Sequence, residues 1–297
     1  MNKKILLGSL VGIVAPIASV ATISCNKFED GPKIVELDTR IILDPEKVSD
    51  EMVRARILKG ADGDTVTVTP LEDNGSAGIH ANQPVKVRIA GIDTPEKAVG
   101  DGANVRKASK QELQFALQSS AYAEKTLKNG KEVYLFLTSG GTKDTFGRIT
   151  ADIFFSYEKD KVSKITDVDR SYSVEILKAG YTLPLGREIS AMRHPIHLQY
   201  WTYYLMALAL KYARDNNQGF FSQWSIRHAS NPYEKISKTA YLIKPIGEGW
   251  RPFVKDAGGD PDYKGSSVYD YAKSGYQPIK VVYANGEVFE KGKLVKK

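Results

Sequence analysis

Cys25 is the only cysteine in the 297 residues of this chain. One thiol closes no internal disulfide and builds no cysteine-based zinc site, so whatever the chain folds into must be held by a buried apolar core. The composition can supply one. Hydrophobic residues make up 42% and charged residues 26%, as in an ordinary globular protein, and the length suits one medium domain with extensions or at most two domains. Disulfide scaffolds, collagen and low-complexity chains are excluded, and four histidines argue against a His-rich metal centre.

The position of that cysteine carries information of its own. Lys3 and Lys4 precede Ile5 to Ile23, 19 residues without a charge, broken by Pro16 and followed by Ser24 and Cys25. The arrangement resembles a bacterial lipoprotein signal, in which the cysteine is lipid-modified and becomes the mature N-terminus, with Thr22 where such signals usually carry Leu. An uncleaved membrane anchor is the alternative by length, and a buried structural cysteine a third. Either of the first two predicts an exported protein held at the extracellular face of the cell membrane. Residues 1–24 are then the signal, and 25–50, with 4 basic and 7 acidic residues, an acidic spacer.

The formal net charge is +7. Residues 226–297 hold 13 Lys and Arg against 8 Asp and Glu, whereas residues 25–225 balance at 27 of each. Weak positivity suits a polyanionic partner without proving one. The sequence has no P-loop and no G-x-S-x-G element, so NTPase and serine-hydrolase readings lack support.

After the spacer, β-branched residues bounded by Gly, Asp and Pro predict strands at Val53 to Leu58, Thr65 to Thr69 and Val85 to Ile89, with Glu72 to Pro84 as a long hairpin loop. Three-and-four spacing predicts an amphipathic helix between Asn104 and Leu127, stopped by Asn129-Gly130. Strands resume at Val133 to Leu137 and Ile149 to Phe155. A short helix fits Ser173 to Ala179 and a longer one Pro195 to Asn216. From 226 onward the chain becomes Pro- and Gly-rich, with a hairpin signal at Asn285-Gly286, and reads as a basic extension, either a small appended module or a tail draped over the main domain.

Three segments carry chemistry: Asp62-Gly63-Asp64-Thr65, then Arg88 followed by Asp93-Thr94-Pro95-Glu96, then Asp144-Thr145-Phe146-Gly147-Arg148. They set acidic groups and two arginines at strand ends and turns, where side chains can converge on one edge of a small barrel. A hard cation takes such oxygens; Ca²⁺ uses six to eight, so two carboxylates and a carbonyl leave positions for water and a substrate phosphate. Guanidinium forks match phosphate oxygens, and a carboxylate kept off the metal can orient or deprotonate water.

At these residues the chain resembles the staphylococcal nuclease (thermonuclease, TNase-like) family: D-G-D-T at 62–65, Arg88 four residues before D-T-P-E at 93–96, and the family's Y-G-R at 146–148 with Phe in the first place. The resemblance covers about residues 51–225 and implies an α+β, mainly β, fold: an OB-fold, the five-stranded Greek-key barrel, capped by helices. It implies Asp64 and Asp93 as Ca²⁺ carboxylates with the Thr94 carbonyl as third ligand, Asp62 behind them, Arg88 and Arg148 as phosphate clamps and Glu96 as the base. The reaction it implies is hydrolysis of DNA and RNA to 3′-phosphate ends. The chain departs from the family at Thr145-Phe146, where Lys-Tyr is common, at Tyr181 to Gly186, which holds no clear match to its base-stacking tyrosines, and in a longer first hairpin.

Each segment also has an ordinary reading. Asp-Gly is usually a turn, and Arg88 or Arg148 alone would pass for a surface cation. His194 and His197 read as surface or packing residues, and Tyr200, Trp201, Tyr203, Tyr204 and Tyr212 as core rather than a stacking platform. Two rivals to a nuclease stand: a catalytically silent OB-fold that only binds nucleic acid, and a surface adhesin or substrate-binding lipoprotein in which the tail does the work.

Overall fold

The computed structural model describes residues 31–60, 62–100, 104–254, 263–272 and 275–297. The signal reading and Cys25 lie outside these residues. In chain order come β1 (Ile34–Asp38), α1 (Pro45–Val48), β2 (Met52–Gly60), β3 (Thr65–Pro70), β4 (Val85–Ile89), β5 (Ile92–Asp93), β6 (Ala98–Val99), β7 (Arg106–Lys107) and α2 (Lys110–Thr126). They are followed by β8 (Glu132–Leu137), β9 (Ile149–Phe155), β10 (Arg170–Ser171), α3 (Tyr172–Lys178), β11 (Leu183–Pro184) and α4 (Leu198–Asp215). The last part holds α5 (Trp224–Arg227), α6 (Pro232–Ala240), α7 (Val268–Ala272), β12 (Lys280–Tyr283), β13 (Val288–Glu290) and β14 (Lys293–Lys296).

Strands β2, β3, β4, β9 and β8 pair in that order, and β8 pairs with β9 as well as β2, which closes a five-stranded OB-like barrel. All its pairings are antiparallel except β4 with β9, where Arg88 lies opposite Thr150. The fold is α+β and mainly sheet, as the family resemblance implies. The loose alternation of the first barrel strand has a local cause: the β2–β3 register shifts between Ile57 and Lys59, so one residue is out of phase. Strand β8 is buried along its whole length, which explains its unbroken apolar run Val133 to Leu137.

Side-chain caps set the helix starts. Ser109 accepts from the Glu112 amide at the head of α2, and Asn231 accepts from the Glu234 amide at the head of α6, with Pro232 in the first turn. Helix α2 begins at Lys110 and not nearer Asn104, because Arg106 and Lys107 pair with Ala98 and Val99 in a short ribbon. Trp201 and Tyr203 of α4 are buried, and Tyr200, Tyr204 and Tyr212 pack against the core, the structural role predicted for them.

The described part of the N-terminal segment and the C-terminal extension are both woven into this body. Strand β1, inside the segment read as a spacer, pairs antiparallel with β12 from the extension, Leu37 opposite Val281. Its first amide, Ile34 N–H, donates to Asp215 at the end of α4 at 2.8 Å. Residues 34–48 also supply buried Ile34, Leu37, Ile41, Leu43 and Val48, so this part of the segment is folded core with an acidic exterior. From the extension, Tyr233, Ile236, Tyr241, Trp250, Phe253, Val268 and Val281 are buried in the same cluster. Of the two arrangements open to it, the extension takes the draped one.

Candidate active site

The turn Asp62 to Asp64 enters β3 at one end of the barrel. Gly63 is obligatory there for steric reasons: a Cβ would stand 2.7 Å from both the Ser119 Cβ and the Thr94 Cγ2. Its carbonyl accepts from the buried Tyr172 hydroxyl of α3 at 2.9 Å. The Asp62 side chain accepts from the Asp64 amide at 3.1 Å, an Asx turn that aims the second carboxylate inward. Asp64 is buried, and its Oδ2 accepts from the Thr94 amide at 2.6 Å, so the first and second motif segments are joined directly.

Arg88 reaches both. It lies opposite Thr65 in the β3–β4 register, and its side chain is 12% exposed. One guanidinium nitrogen is 2.7 Å from the Asp64 carboxylate, and another holds the Asp93 carboxylate in a short ion pair. Burial works against the Arg88 charge, but Asp64 and Asp93 outweigh it and raise its pKa further. Asp93 is held from behind by β5, which pairs with β11, Leu183 opposite Asp93. Its carbonyl accepts from the Thr182 hydroxyl at 2.8 Å and the Tyr241 hydroxyl at 2.7 Å. The Tyr181 to Gly186 stretch, which offers no base-stacking match, therefore contributes a strand and a hydroxyl that support the Asp93 backbone.

Glu96 sits on the exit of the same loop, its side chain 22% exposed. Arg148 enters from the turn before β9. Asp144 accepts from the Phe146 and Arg148 amides, each at 2.9 Å, and from the Arg148 Nε at 2.8 Å, while Gly147 takes a φ of 73° that closes the turn. The guanidinium Nη1 of Arg148 then donates to the Thr65 hydroxyl at 3.3 Å, and that hydroxyl donates to the Asp64 carboxylate at 3.3 Å. Asp62, Asp64, Arg88, Asp93, Thr94, Glu96 and Arg148 all converge on one end of the barrel. The histidine pair does not join them: His194 and His197 face each other, edge to face at 6.0 Å between ring centres.

The charge balance is acidic. Asp62 is pushed up to about 7, first by burial and then by the negative charge of Asp64 and Glu96. Burial also raises Asp93, against the pull of Arg88 and Lys244. Among the described residues, no group of three His, Cys, Asp or Glu side chains is arranged to hold a metal by itself. The donor chemistry nevertheless fits a hard cation: only oxygens, two carboxylates close enough to share one guanidinium, and a surplus of buried negative charge that a divalent ion would relieve.

One participant carried no sequence signal. Lys244, in the extension, donates to Asp93 Oδ1 at 3.1 Å and to Glu96 Oε1 at 2.8 Å. Nothing around it resembles a motif; it stands in an apolar stretch, Tyr241 to Ile246, 151 residues after Asp93 and 148 after Glu96.

No family model matches the chain. It is 29% identical over 133 residues to the uncharacterized lipoprotein MG186 of Mycoplasma genitalium, covering 45% of this chain and 45% of that protein. It is 28% identical over 135 residues to the uncharacterized protein MJ1439 of Methanocaldococcus jannaschii, covering 42% of this chain and 56% of that one. The matched part thus spans about half the length of these relatives.

Proposed function

We propose that this protein is a calcium-dependent nuclease, anchored by lipid at the extracellular face of the cell membrane, that hydrolyses phosphodiester bonds of DNA and RNA. The observation that carries the reading is Arg88 spanning Asp64 and Asp93 while Arg148 is hydrogen-bonded to the same carboxylate through one threonine hydroxyl. Two arginines held by carboxylates at a barrel mouth are a costly arrangement for a scaffold and a useful one for gripping a phosphate.

Asp64, Asp93 and the Thr94 carbonyl are the groups to hold Ca²⁺, which when bound polarises a phosphoryl oxygen. Glu96 orients a water and takes its proton as the oxygen attacks phosphorus in line. Arg88 and Arg148 hold the non-bridging oxygens, and their hydrogen bonds strengthen as charge builds in the pentacoordinate transition state. The bond to the 5′ oxygen breaks, that oxygen acquires a proton, and a 3′-phosphate remains. Deep burial keeps Arg88 fixed before substrate arrives, so little reorganisation accompanies the chemical step.

Anchoring rests on Cys25 and the apolar run before it, supported by the word lipoprotein in the name of the Mycoplasma genitalium relative. An exposed enzyme of this kind digests external nucleic acid for uptake or clears it from the cell surface. Protease shaving of intact cells should remove the activity, and Cys25→Ser should release it or block maturation; activity confined inside the cell contradicts the placement.

The ion pair between Glu96 and Lys244 favours one alternative, a barrel that binds nucleic acid with its base neutralised and does not cut. A nuclease gel with added Ca²⁺, with and without excess EDTA, separates the two. Cleavage that disappears with the chelator supports the enzyme; full activity in EDTA removes the calcium assignment, and no cleavage under either condition favours the binder.

A further inference from the structure

We propose that Lys244, delivered by the C-terminal extension, is a third substrate-phosphate cation of the site: it neutralises Glu96 and Asp93 while the site is empty and passes to a phosphate oxygen when nucleic acid binds. The inference rests on the nuclease reading for its substrate class.

The lysine is placed by a fixed support. Just before it, the Tyr241 hydroxyl donates to the Asp93 carbonyl at 2.7 Å and accepts from the Leu183 amide at 3.0 Å. The amides of Leu242 and Ile243 both donate to Glu112 Oε1, at 2.9 and 3.1 Å, which ties the stretch to α2. Glu112 is fully buried, so a carboxyl group of the helix is spent on holding this strap. Pro245 and the buried Ile246 fix the other side. Within Tyr241 to Ile246, Lys244 is the only charged residue.

Its ammonium is not there for stability. The Lys244 side chain is 43% exposed, against 12% for Arg88, and an ion pair as open to water as this contributes little to folding. Its chemistry suits a handover: four methylenes of reach from a hydrogen-bonded strap, with a compact charge that faces solvent. A phosphodiester approaching Asp62, Asp64, Asp93 and Glu96 meets net repulsion unless cations meet it first. Of the three cations paired with these carboxylates or with Asp144, Lys244 is the most open to solvent, 43% exposed against 23% for Arg148 and 12% for Arg88. Transfer of its ammonium to phosphate also frees the Glu96 oxygen that it covers, so substrate binding and exposure of the base occur in one movement.

The test compares the full chain with Lys244→Gln, which keeps a hydrogen-bond donor for Glu96 but no charge, and Lys244→Arg, which keeps the charge. Binding of a labelled 12-nucleotide single strand is followed by fluorescence anisotropy in EDTA, where cleavage is not expected, across a salt series; kcat and KM are measured separately with Ca²⁺. Loss of one charge-assisted phosphate contact predicts about a 10-fold weaker Kd for Lys244→Gln and a salt slope flattened by about 0.7, the share of one single-strand phosphate. KM should rise with the Kd, kcat should stay within about threefold, and Lys244→Arg should retain most of the affinity. An unchanged Kd and slope in Lys244→Gln would overturn the proposal and leave a plain counter-ion. Tighter binding or a higher kcat/KM would overturn it in favour of an inhibitory latch. If the unmodified chain binds the strand yet never cleaves it, the nuclease reading fails while the affinity and slope still decide the role of Lys244; if it does not bind at all, both fail.

Discussion

Arg88 shares its guanidinium between Asp64 and Asp93, and that sharing sets what its replacement should do. Arg88→Lys keeps the charge but loses the planar fork, so it should leave one carboxylate unpaired and lower activity severely. Glu96→Gln removes the proton acceptor and spares the arginines, so kcat should fall by about 10²-fold or more with little change in KM. Arg148→Ala should reduce kcat more than it raises KM. Steady-state kinetics on a defined oligonucleotide check all three, and near-normal turnover throughout would reduce these residues to scaffold. The turns that carry them were legible because Asp62 to Thr65 and Asp144 to Arg148 are each local and contiguous within four or five residues. Lys244 was illegible for the converse reason, since its meaning lies wholly in a tertiary contact. A second residue tests the interior. Asp152 is fully buried in β9, accepting from Ser173 Oγ at 2.7 Å and from the Ile153 amide at 2.8 Å, and also from Ser171. Burial pushes its carboxyl up to about 6 against the lowering effect of the Ser171 and Ser173 hydrogen bonds. The folded state therefore keeps a proton that the unfolded chain releases near pH 4, so stability falls as pH rises from about 4 to 6 and stays lower above that. The loss is on the order of 2 to 3 kcal/mol. Chemical denaturation across this range should show the fall in the natural protein and not in Asp152→Asn; parallel curves would rule it out.

Among the elements, the turn before β3 concentrates the constraints. Gly63 lies against Ser119 of α2 and against Thr94, and Tyr172 of α3 caps its carbonyl. A methyl at this position has no space. Gly63→Ala should push Thr94 away from the Asp64 carboxylate, destabilise the fold by about 1 to 3 kcal/mol and weaken Ca²⁺ binding more than an exposed substitution of equal thermal cost. Thermal melts read against calcium titration by calorimetry test this, and unchanged affinity at a lowered melting temperature would detach the turn from the metal. Strand positions were readable from alternation and β-branching because the barrel strands bury one face or both. The bulge in β2 blurred its pattern, and β5, β10 and β11, two residues each, are too short for any periodicity to register. Strand β1 was missed because acidic residues dominate its surroundings, while its burial comes from α4 and from a partner strand near the far end of the chain.

Across the whole molecule, the extension is structural as well as basic. Truncation after Trp224 removes Tyr233, Tyr241, Phe253 and Val281 from the core, strips β1 of its partner and takes away the hydroxyl behind Asp93. The shortened chain should lose cooperative unfolding, measured by circular dichroism and denaturant titration, and should not persist as a nuclease with a raised KM. A cooperative melt within a few degrees of the full chain would make the extension dispensable. Charge counting could not foresee this, because a net charge reports solvent-facing groups and is blind to the aromatics beneath them. Pairing Ile34 with Tyr283 also imposes an order in time. A polypeptide that emerges N-terminus first exposes β1 from the outset and has to wait until β12 has been made before that edge can be covered. Contacts so distant in sequence form slowly, and an unpaired edge that waits is open to the wrong strand. The edge of β1 is therefore covered only after the segment bearing Lys244 has been made, so the outer sheet closes over a body that already holds every residue of the candidate site.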